Sequence, residues 1–331
     1  MAAQKRALVT GAGGFIGHHL VAYLKGLGYW VRGVDVKAPE FASTAADDFL
    51  LLDLRRWESC LEATAGVAEV YALAADMGGM GFISANHAQI LHNNILISTH
   101  TLEAARQNGV SRYLYTSSAC VYPEYLQTET AVKPLREEDA YPAQPQDAYG
   151  WEKLVTERLV GHYREDYKMD TRIVRFHNIF GPLGTWEGGR EKAPAAICRK
   201  VAEAKLNGHR EIEIWGDGEQ TRSFCYIDDC VVGIEKLMRS EWREPLNLGQ
   251  DRMVTINQLV DLVAAAAGIE VRKKHVAGPM GVRGRNSDNT RLREVLGWEP
   301  QITLETGLKQ TYDWIEQQVK AKLSQRLAVG A

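Results

Sequence analysis

The order of apolar and polar residues in the first half of the chain alternates between two periods. Short apolar runs predict strands at residues 6–10, 30–35, 49–52, 69–73, 113–116 and 171–176, and amphipathic spacing predicts helices at 15–27, 86–108 and 148–167. Strands that alternate with helices of this length are typical of βαβ units. The sequence therefore predicts an α/β fold, with a Rossmann-type, doubly wound parallel sheet and helices on both faces.

The alternation becomes less regular after about residue 178. A loop at 181–194 precedes predicted helices near 195–206, 229–240, 255–267 and 304–319 and a strand at 211–215. We expect residues 1–178 to form the sheet domain. Residues 179–331 are expected to form mainly a smaller α/β lobe over the carboxyl edge of the sheet, where ligands bind in such folds. Whether a segment of this lobe returns to the first domain is left open.

Composition and charge are those of an ordinary globular protein. The 331 residues are 45% hydrophobic and 24% charged, with a formal net charge of −3, which gives no reason to expect binding to nucleic acid or to a membrane surface. The five cysteines form no CxxC pair and are odd in number, so a reducing compartment fits best. Neither a signal peptide nor a long apolar span is recognisable. We expect a cytoplasmic protein.

A glycine-rich turn connects the first predicted strand to the first helix. Gly11, Gly14 and Gly17 have the spacing GxxGxxG, and Gly13, Phe15 and Ile16 lie between them. Glycine permits the tight turn and the close approach of a pyrophosphate, whose charge is stabilised by unpaired N–H groups of the helix. The turn predicts a dinucleotide-binding site in the first domain.

Acidic and small residues at the ends of the following strands refine this prediction. Asp35 ends the second strand, where a carboxylate binds both ribose hydroxyls and repels a 2′-phosphate, so NAD is expected rather than NADP. Asp53 and Leu54 follow the third strand, near the expected adenine, although Asp53 is equally suited to capping a helix. Ala74 follows the fourth strand and permits close approach of the cofactor, or merely packs.

A tyrosine and a lysine four residues apart open the predicted helix at 148–167. Tyr149 and Lys153 form the pattern YxxxK, which places both side chains on one helix face. A nearby ammonium stabilises a phenolate, so we expect Lys153 to lower the pKa of Tyr149 and make it a base for a sugar hydroxyl. Ser117 and Ser118, at the end of an earlier strand, can bond the reacting oxygen. Together with the glycine turn, these residues resemble the extended short-chain dehydrogenase/reductases.

The residues after these serines separate the chemistries within that superfamily. Ala119 and Cys120 stand where sugar-nucleotide 4,6-dehydratases typically carry Asp and Glu. Oxidation of a sugar at carbon 4 acidifies the hydrogens at carbons 3 and 5, and a thiol at Cys120 and an ammonium at Lys192 are candidates to exchange them. On position alone, Cys120 is equally well a buried small side chain, and for Lys192 a solvated loop residue is the favoured interpretation.

Longer blocks resemble the GDP-mannose 3,5-epimerase family, known from plant ascorbate synthesis. The blocks are residues 74–82, 117–120, 145–150, 184–194, 215–224 and 281–289, within a match from about 6 to 316. The resemblance implies that Cys120 and Lys192 are an acid/base pair and that NAD is recycled in each turnover. It further implies a GDP-α-D-mannose substrate, GDP-L-galactose and GDP-L-gulose as products, and a homodimer formed through the helices at 86–108 and 148–167.

Substrate contacts are expected from both halves of the chain, and no metal is expected. Guanidinium groups bind phosphate oxygens in a fork, so Arg222 and either Arg283 or Arg285 are candidates for the diphosphate, with structural ion pairs as the alternative. The resemblance adds a set of further substrate contacts: Met77, Gly78, Asn178, Glu191 and Gln220. Two other functions stay open at this point, another 4-epimerase or oxidoreductase on the same scaffold and a non-catalytic NAD-binding regulator.

Overall fold

The computed structural model describes residues 4–279 and 281–329. Its strands are β1 (Arg6–Thr10), β2 (Trp30–Asp35), β3 (Asp48–Leu51), β4 (Glu69–Ala72), β5 (Arg112–Ser118), β6 (Asp170–Phe176), β7 (Ile179–Phe180), β8 (Glu211–Trp215), β9 (Thr221–Ser223), β10 (Cys225–Tyr226), β11 (Pro245–Leu248), β12 (Met253–Thr255), β13 (Arg272–Val276) and β14 (Gly284–Arg285). Its helices are α1 (Phe15–Gly26), α2 (Trp57–Thr64), α3 (Met80–Ile83), α4 (His87–Gln107), α5 (Ala148–Tyr167), α6 (Ala193–Leu206), α7 (Ile227–Arg239), α8 (Ile256–Ala267), α9 (Thr290–Leu296) and α10 (Leu304–Val329).

Seven of these strands form one parallel sheet in the order β11-β6-β5-β4-β1-β2-β3. From β1 the chain builds outward through β2 and β3, and then from β4 in the opposite direction. The carboxyl ends of β1 and β4 therefore flank the crevice at which doubly wound sheets bind ligands. The predicted α/β fold with its doubly wound parallel sheet is confirmed.

Helices cover both faces of the sheet because its strands bury alternate residues on opposite sides. On β1, Val9 packs with α1 and α7, whereas Leu8 packs with α2, α4 and α5. Both side chains are fully buried, which stabilises the fold by about 1.5–3 kcal/mol for a side chain of this size. The rigid sheet that results fixes the loops at its carboxyl edge.

The C-terminal part of the chain forms small sheets and a helical layer. These sheets are β7–β10, β8–β13 and β12–β9–β14, and α6, α8 and α10 pack against one another. One segment of this part, β11, joins the main sheet beside β6. A division of the chain at residue 178 stays a prediction. Within residues 4–279 and 281–329, no helix is both long and apolar enough to cross a membrane.

Candidate active site

The glycine-rich turn lies against the loop that follows β4. Gly11 has a left-handed φ of 71°, and a side chain there would lie 3.0 Å from the backbone nitrogen of Ala74. A side chain at Gly17 would lie 2.1 Å from the Gly11 carbonyl oxygen. Thr10 Oγ1 accepts hydrogen bonds from the N–H groups of Leu73 and Ala74, both at 3.0 Å. The turn is thus locked against the neighbouring strand in a conformation that requires glycine.

Helix α1 begins directly behind this turn. Gly14 is the residue before the helix, and no side chain of the described part of the chain caps its first N–H groups at this position. Phe15 and Ile16 start the helix with their side chains partly buried against the core. Uncapped N–H groups at a helix start, on a glycine-rich turn, bind an anion such as a pyrophosphate.

Asp35 lies beside the turn at the end of β2. Its Oδ2 accepts from the N–H of Gly13 at 3.0 Å and its Oδ1 from the N–H of Lys37 at 3.2 Å. Burial raises the pKa of this carboxyl, and the two N–H donors oppose that rise. The carboxylate is thus held at the edge of the crevice, in the place expected for a ribose diol.

Asp53 and Leu54 occupy the adjacent edge. Asp53 forms a bidentate ion pair with Arg55, with N–O distances of 2.7 to 3.1 Å, and hydrogen bonding by Arg55 lowers the pKa of Asp53. Leu54 is 4% exposed, so its side chain belongs to the core. Any contact of Leu54 with a cofactor must therefore be made by its backbone.

Tyr149 and Lys153 are buried side by side near the start of α5, which Asp147 caps by accepting from the Gly150 N–H at 2.8 Å. Tyr149 is 7% exposed and Lys153 2%, and the Lys153 Nζ lies 5.5 Å from the centre of the tyrosine ring. Burial raises the pKa of Tyr149 well above its usual range and lowers that of Lys153. The expected lowering of the Tyr149 pKa by Lys153 is thus outweighed by desolvation in the protein alone.

Ser117 and Ser118 point in opposite directions because successive side chains of a strand alternate. Ser118 is partly exposed, and hydrogen bonding by its side chain opposes the rise of the Tyr149 pKa. Ser117 is 2% exposed and donates to Glu157 Oε1 at 2.5 Å, within a buried ion pair of Glu157 and Arg175. This placement corrects the expectation for Ser117, whose hydroxyl supports the sheet and does not face the reacting oxygen.

Cys120 lies on the short 3₁₀ turn Ala119–Val121 directly after β5, and its N–H donates to Ser118 Oγ at 3.2 Å. The thiol is partly exposed and accepts from Arg285 Nη1 at 3.4 Å. Its charge influences the pKa values of Tyr149, Lys153 and Lys192. The thiol therefore lies at the centre of the ionisable groups of this crevice.

Lys192 is the residue before helix α6, and its side chain is exposed within the crevice. Protein atoms around the ammonium desolvate it and lower the pKa of Lys192, an effect that the nearby Cys120 opposes. A lysine with a lowered pKa exists more readily as the neutral amine and can take up a proton. The predicted acid/base pair is thus brought together from residues 72 positions apart in the sequence.

Arg222 and Arg285 lie side by side, because β9 and β14 are parallel neighbours in which these two residues pair. Burial and, as the smaller cause, the charge of Arg285 together lower the pKa of Arg222 to about 9. An anion between the two guanidinium groups would relieve this repulsion. Arg283, in contrast, forms a bidentate ion pair with Asp217 at 2.7 and 2.6 Å.

The remaining predicted substrate residues line the crevice or support it. Met77 packs in the small cluster that contains Tyr149 and Cys120, and Gly78 is so close to Phe82 that a Cβ there would lie 2.9 Å from the phenylalanine Cβ. Asn178 has a left-handed φ of 46° and donates to the Ser223 carbonyl at 2.8 Å. Met77 thus lies in the cluster of the tyrosine and the thiol, Gly78 lies against Phe82 of the same cluster, and Asn178 is held by β9.

Gln220 and Glu191 differ in how far their polar groups are already engaged. Gln220 is 6% exposed, its Nε2 donates to the Trp215 carbonyl at 3.2 Å, and its Oε1 has no hydrogen-bond partner within the described residues. Glu191 accepts from the Gly189 N–H at 2.6 Å and from Arg199 at 3.2 Å. Its carboxylate therefore shapes the loop that carries Lys192.

Comparison with known proteins identifies the family of this chain. The model of the NAD dependent epimerase/dehydratase family matches residues 7–249. GDP-mannose 3,5-epimerase 1 of Oryza sativa subsp. japonica is 52% identical over 322 residues, which cover 97% of this chain and 84% of the rice protein. The chain belongs to the GDP-mannose 3,5-epimerase family.

Solved structures of other nucleotide-sugar epimerases have folds similar to that of this chain. A UDP-glucose 4-epimerase with UDP-glucose from Thermotoga maritima is 27% identical, with a TM-score of 0.83 over 95% of this chain and 99% of that one. A UDP-glucuronic acid 4-epimerase from Bacillus cereus, in complex with UDP-glucuronic acid and NAD, is 25% identical, with a TM-score of 0.79 over 95% of this chain and 99% of that one.

The glycine-rich turn and Asp35 of this chain fit NAD, the cofactor on which the family depends. A Cβ at Gly13 would lie 2.1 Å from the Lys37 carbonyl oxygen and one at Gly17 would be as close to the Gly11 carbonyl oxygen, so glycine is required for the tight turn that presents the start of α1 to a pyrophosphate. The Asp35 carboxylate lies beside that turn and suits a ribose diol. Gly13, Gly14, Asp35 and the Lys153 ammonium are the groups that would hold the cofactor.

Exchanging Asp35 for serine is expected to weaken NAD binding by about ten-fold or more, because a charged hydrogen-bond acceptor is lost, and to permit NADP binding. Calorimetric titration of cofactor-free protein with each dinucleotide measures both effects. Asp53→Ser is the matched control, since Arg55 already engages the Asp53 carboxylate. An unchanged preference for NAD in Asp35→Ser would contradict the role of Asp35.

Sequence reasoning missed the buried carboxylates of α5. Glu152 is fully buried, its Oε1 accepts from Tyr115 at 3.1 Å, and its Oε2 lies 3.8 Å from the Lys153 ammonium. Glu157 lies one turn further on and pairs with Arg175 at 2.7 Å. The signal in the sequence was the pair of acidic residues near Lys153 on a helix that packs on the core. A carboxylate that is buried needs a hydrogen-bonding or charged partner.

Proposed function

We propose that this protein is an isomerase, a GDP-mannose 3,5-epimerase that converts GDP-α-D-mannose into GDP-L-galactose and GDP-L-gulose. The observation that carries the proposal is the shared crevice of Cys120 and Lys192, next to the buried pair of Tyr149 and Lys153. A dehydrogenase needs only the tyrosine and the lysine. A second pair of proton-exchanging groups is the equipment for inverting carbon centres.

Reaction begins at carbon 4 of the bound mannose. When bound, NAD supplies the chemistry of removing hydride from this carbon and later returning it. Tyr149 takes the proton of the carbon 4 hydroxyl, and Ser118 orients the oxygen. The Glu152 carboxylate, 3.8 Å from the Lys153 ammonium, opposes the lowering of the Lys153 pKa by burial and so favours a positive charge beside the phenol. These groups make and later reduce a ketone without net oxidation of the sugar.

Proton exchange at carbons 5 and 3 is assigned to Cys120 and Lys192. The ketone acidifies both neighbouring C–H bonds, so a base on one ring face can remove a proton while an acid on the other face delivers one. The lowered pKa of Lys192 favours its neutral form as a base, and the Cys120 thiol accepts a hydrogen bond from the Arg285 guanidinium at 3.4 Å. Inversion requires the two groups on opposite faces.

The diphosphate is assigned to Arg222 and Arg285. They are adjacent, and their mutual repulsion contributes to lowering the pKa of Arg222 to about 9, which a bound anion would reverse. The Asp217 carboxylate already occupies Arg283. Gln220, whose buried Oε1 has no hydrogen-bond partner among residues 4–279 and 281–329, is assigned to the nucleotide part of the substrate.

Incubation of the purified protein with GDP-α-D-mannose, followed by nuclear magnetic resonance of the sugars, tests the proposed function. The expected products are GDP-L-galactose and GDP-L-gulose at catalytic turnover without consumption of NAD. A 4-epimerase would form GDP-talose instead, and an oxidoreductase would consume cofactor in stoichiometric amounts. Either outcome, with no 5-epimerised product, would contradict the proposal.

A homodimer is proposed through α4 and α5, supported by apolar side chains on the outer face of α5. Trp151 and Val155 are one helical turn apart, with 43% and 53% of their surfaces exposed. We expect Trp151→Glu to dissociate the dimer, because a charge would be buried in the interface. Analytical ultracentrifugation measures this, and Trp215→Glu, at a similarly exposed tryptophan of the C-terminal lobe, is the control. A monomeric wild type would contradict the proposed assembly.

A cytoplasmic location is also proposed. Five cysteines, all of them free in the structure, support a reducing compartment. Fractionation of cells that express the protein with an intact N-terminus tests the location, and recovery from an oxidising compartment with bridged cysteines would contradict it.

A further inference from the structure

Lys192 ends a loop whose own backbone is adaptable. Gly188 and Gly189 have left-handed φ angles of 90° and 87°, and no other described atom lies within 4 Å of where their side chains would start. These glycines are thus required by the turn and not by crowding. The position of Lys192 relative to the substrate therefore depends on what the rest of the loop contacts.

The loop docks on the segment that follows β4. The N–H of Gly79 donates to the Arg190 carbonyl at 3.0 Å, and a Cβ at Gly79 would lie 2.7 Å from the Glu191 carbonyl oxygen. The two backbones are therefore in direct contact. One of them carries Met77 and Gly78, at the sugar pocket, and the other carries Lys192.

Arg190 adds a side-chain contact to this backbone contact. Its guanidinium lies 3.8 Å from the centre of the Phe82 ring, and its Nη1 lies 3.8 Å from Asp76 Oδ1. Guanidinium groups stack favourably on aromatic faces. Phe82 belongs to α3 and packs against the cluster around Tyr149. The loop of Lys192 is thereby connected to the side of the crevice that holds the phenol.

Helix α4 makes this docking platform rigid. Asp76 Oδ2 accepts from Gln89 at 2.9 Å and from Asn93 at 3.0 Å. Asn94 holds the backbone of Asp76 on both sides, accepting from its N–H at 2.6 Å and donating to its carbonyl at 3.1 Å. Arg190 therefore contacts a segment that is fixed by three amide side chains of one long helix.

We infer that Arg190 and Phe82 are positioning residues for Lys192: their stack holds the lysine loop at the distance from the sugar ring that proton exchange requires. This inference rests on the proposed function, in which Lys192 exchanges protons at carbons 5 and 3. The stack lies outside the groups assigned to hydride transfer, namely Tyr149, Lys153 and Ser118. Its loss therefore affects proton exchange more than hydride transfer.

Two rates measured on one preparation separate these steps. The first is the reduction of enzyme-bound cofactor on mixing with GDP-mannose, followed by absorbance. The second is the entry of deuterium from heavy water into the sugar, followed by mass spectrometry. In Arg190→Gln we expect deuterium entry to fall by roughly ten- to a hundred-fold, since misplacement of a reacting group by about 1 Å has such an effect. Cofactor reduction is expected to change by less than about two-fold.

Further variants make the interpretation specific. Phe82→Leu removes the aromatic face but keeps an apolar side chain, and it should show the same selective loss. Arg190→Lys keeps the charge without the planar stack and should recover only part of the exchange rate. Arg6→Gln is the matched control: its guanidinium stacks on Trp30 at 3.6 Å at the amino end of β1, so neither rate should change.

The outcomes are distinguishable. An equal fall of both rates in Arg190→Gln, or no change in either, would overturn the positioning role. A wild-type protein that reduces its cofactor but takes up no deuterium would instead contradict the proposed function itself. Selective loss in Arg190→Gln and Phe82→Leu, with Arg6→Gln unaffected, supports the inference.

Discussion

Replacing Cys120 with alanine is expected to lower the rate of 3,5-epimerisation by roughly 10²- to 10⁴-fold, the contribution of a positioned proton-transfer group. The thiol is partly exposed, accepts a hydrogen bond from Arg285 Nη1 at 3.4 Å, and interacts electrostatically with Lys192. Without it, one face of the ring has no proton donor or acceptor. The expected result follows from that loss and does not involve the cofactor site.

Cofactor reduction should persist in Cys120→Ala, because Tyr149 and Lys153 are unaltered. Absorbance in the band of the reduced cofactor, recorded after GDP-mannose is added, measures this half-reaction, and the sugar products measure epimerisation. Cys60→Ala is the control, since Cys60 is buried on α2 and donates to the Leu54 carbonyl at 3.1 Å. If Cys120→Ala epimerises at the wild-type rate, the assigned role of the thiol is wrong.

Tyr149→Phe is expected to abolish both half-reactions, with a loss of roughly 10²- to 10⁴-fold in cofactor reduction. The variant removes one hydroxyl and leaves the ring that packs with Met77 and Ile90. Burial raises the pKa of this phenol, so the positively charged surroundings of the complete site are needed to make it a base. No other residue assigned here takes the proton of the carbon 4 hydroxyl.

Two measurements on Tyr149→Phe distinguish an enzyme from a binding protein. Calorimetric titration with GDP-mannose should give an affinity close to that of the wild type, because the diphosphate contacts are intact. Deuterium uptake from heavy water should vanish, because no ketone forms. Lys168→Ala, at an exposed residue that ends α5, is a control for α5. Deuterium uptake that continues in Tyr149→Phe would refute the assigned order of steps.

Local sequence patterns predicted the parts of the fold that local physics determines. Strand β1, strand β2 and helix α5 have the predicted bounds, because a glycine turn or an acidic cap ends or begins each of them clearly. Helix α10 continues to Val329, ten residues beyond its predicted end at 319. The sequence of its last turns consists of good helix formers without a regular apolar stripe, so a prediction from hydrophobic periodicity alone ends the helix too early.

The sequence indicated the residue types of the candidate site, but not the directions in which their side chains point. The neighbours Ser117 and Ser118 look equivalent in the sequence, and only the strand alternation, set by where β5 pairs with β6, decides which one reaches Tyr149. Arg283 and Arg285 are likewise equivalent until Asp217, distant in sequence, engages one and Cys120 the other. Such choices depend on contacts between remote segments, which no local pattern records.

The reaction of GDP-α-D-mannose in heavy water, with positional analysis of the recovered sugars, tests the central assignment most directly. If a thiol and an amine exchange protons next to a transient ketone, deuterium enters at carbons 5 and 3. Carbon 4 stays unlabelled, because its hydrogen leaves and returns as the same hydride. Product that is formed at full rate without deuterium at carbon 5, or with deuterium at carbon 4, would contradict this account.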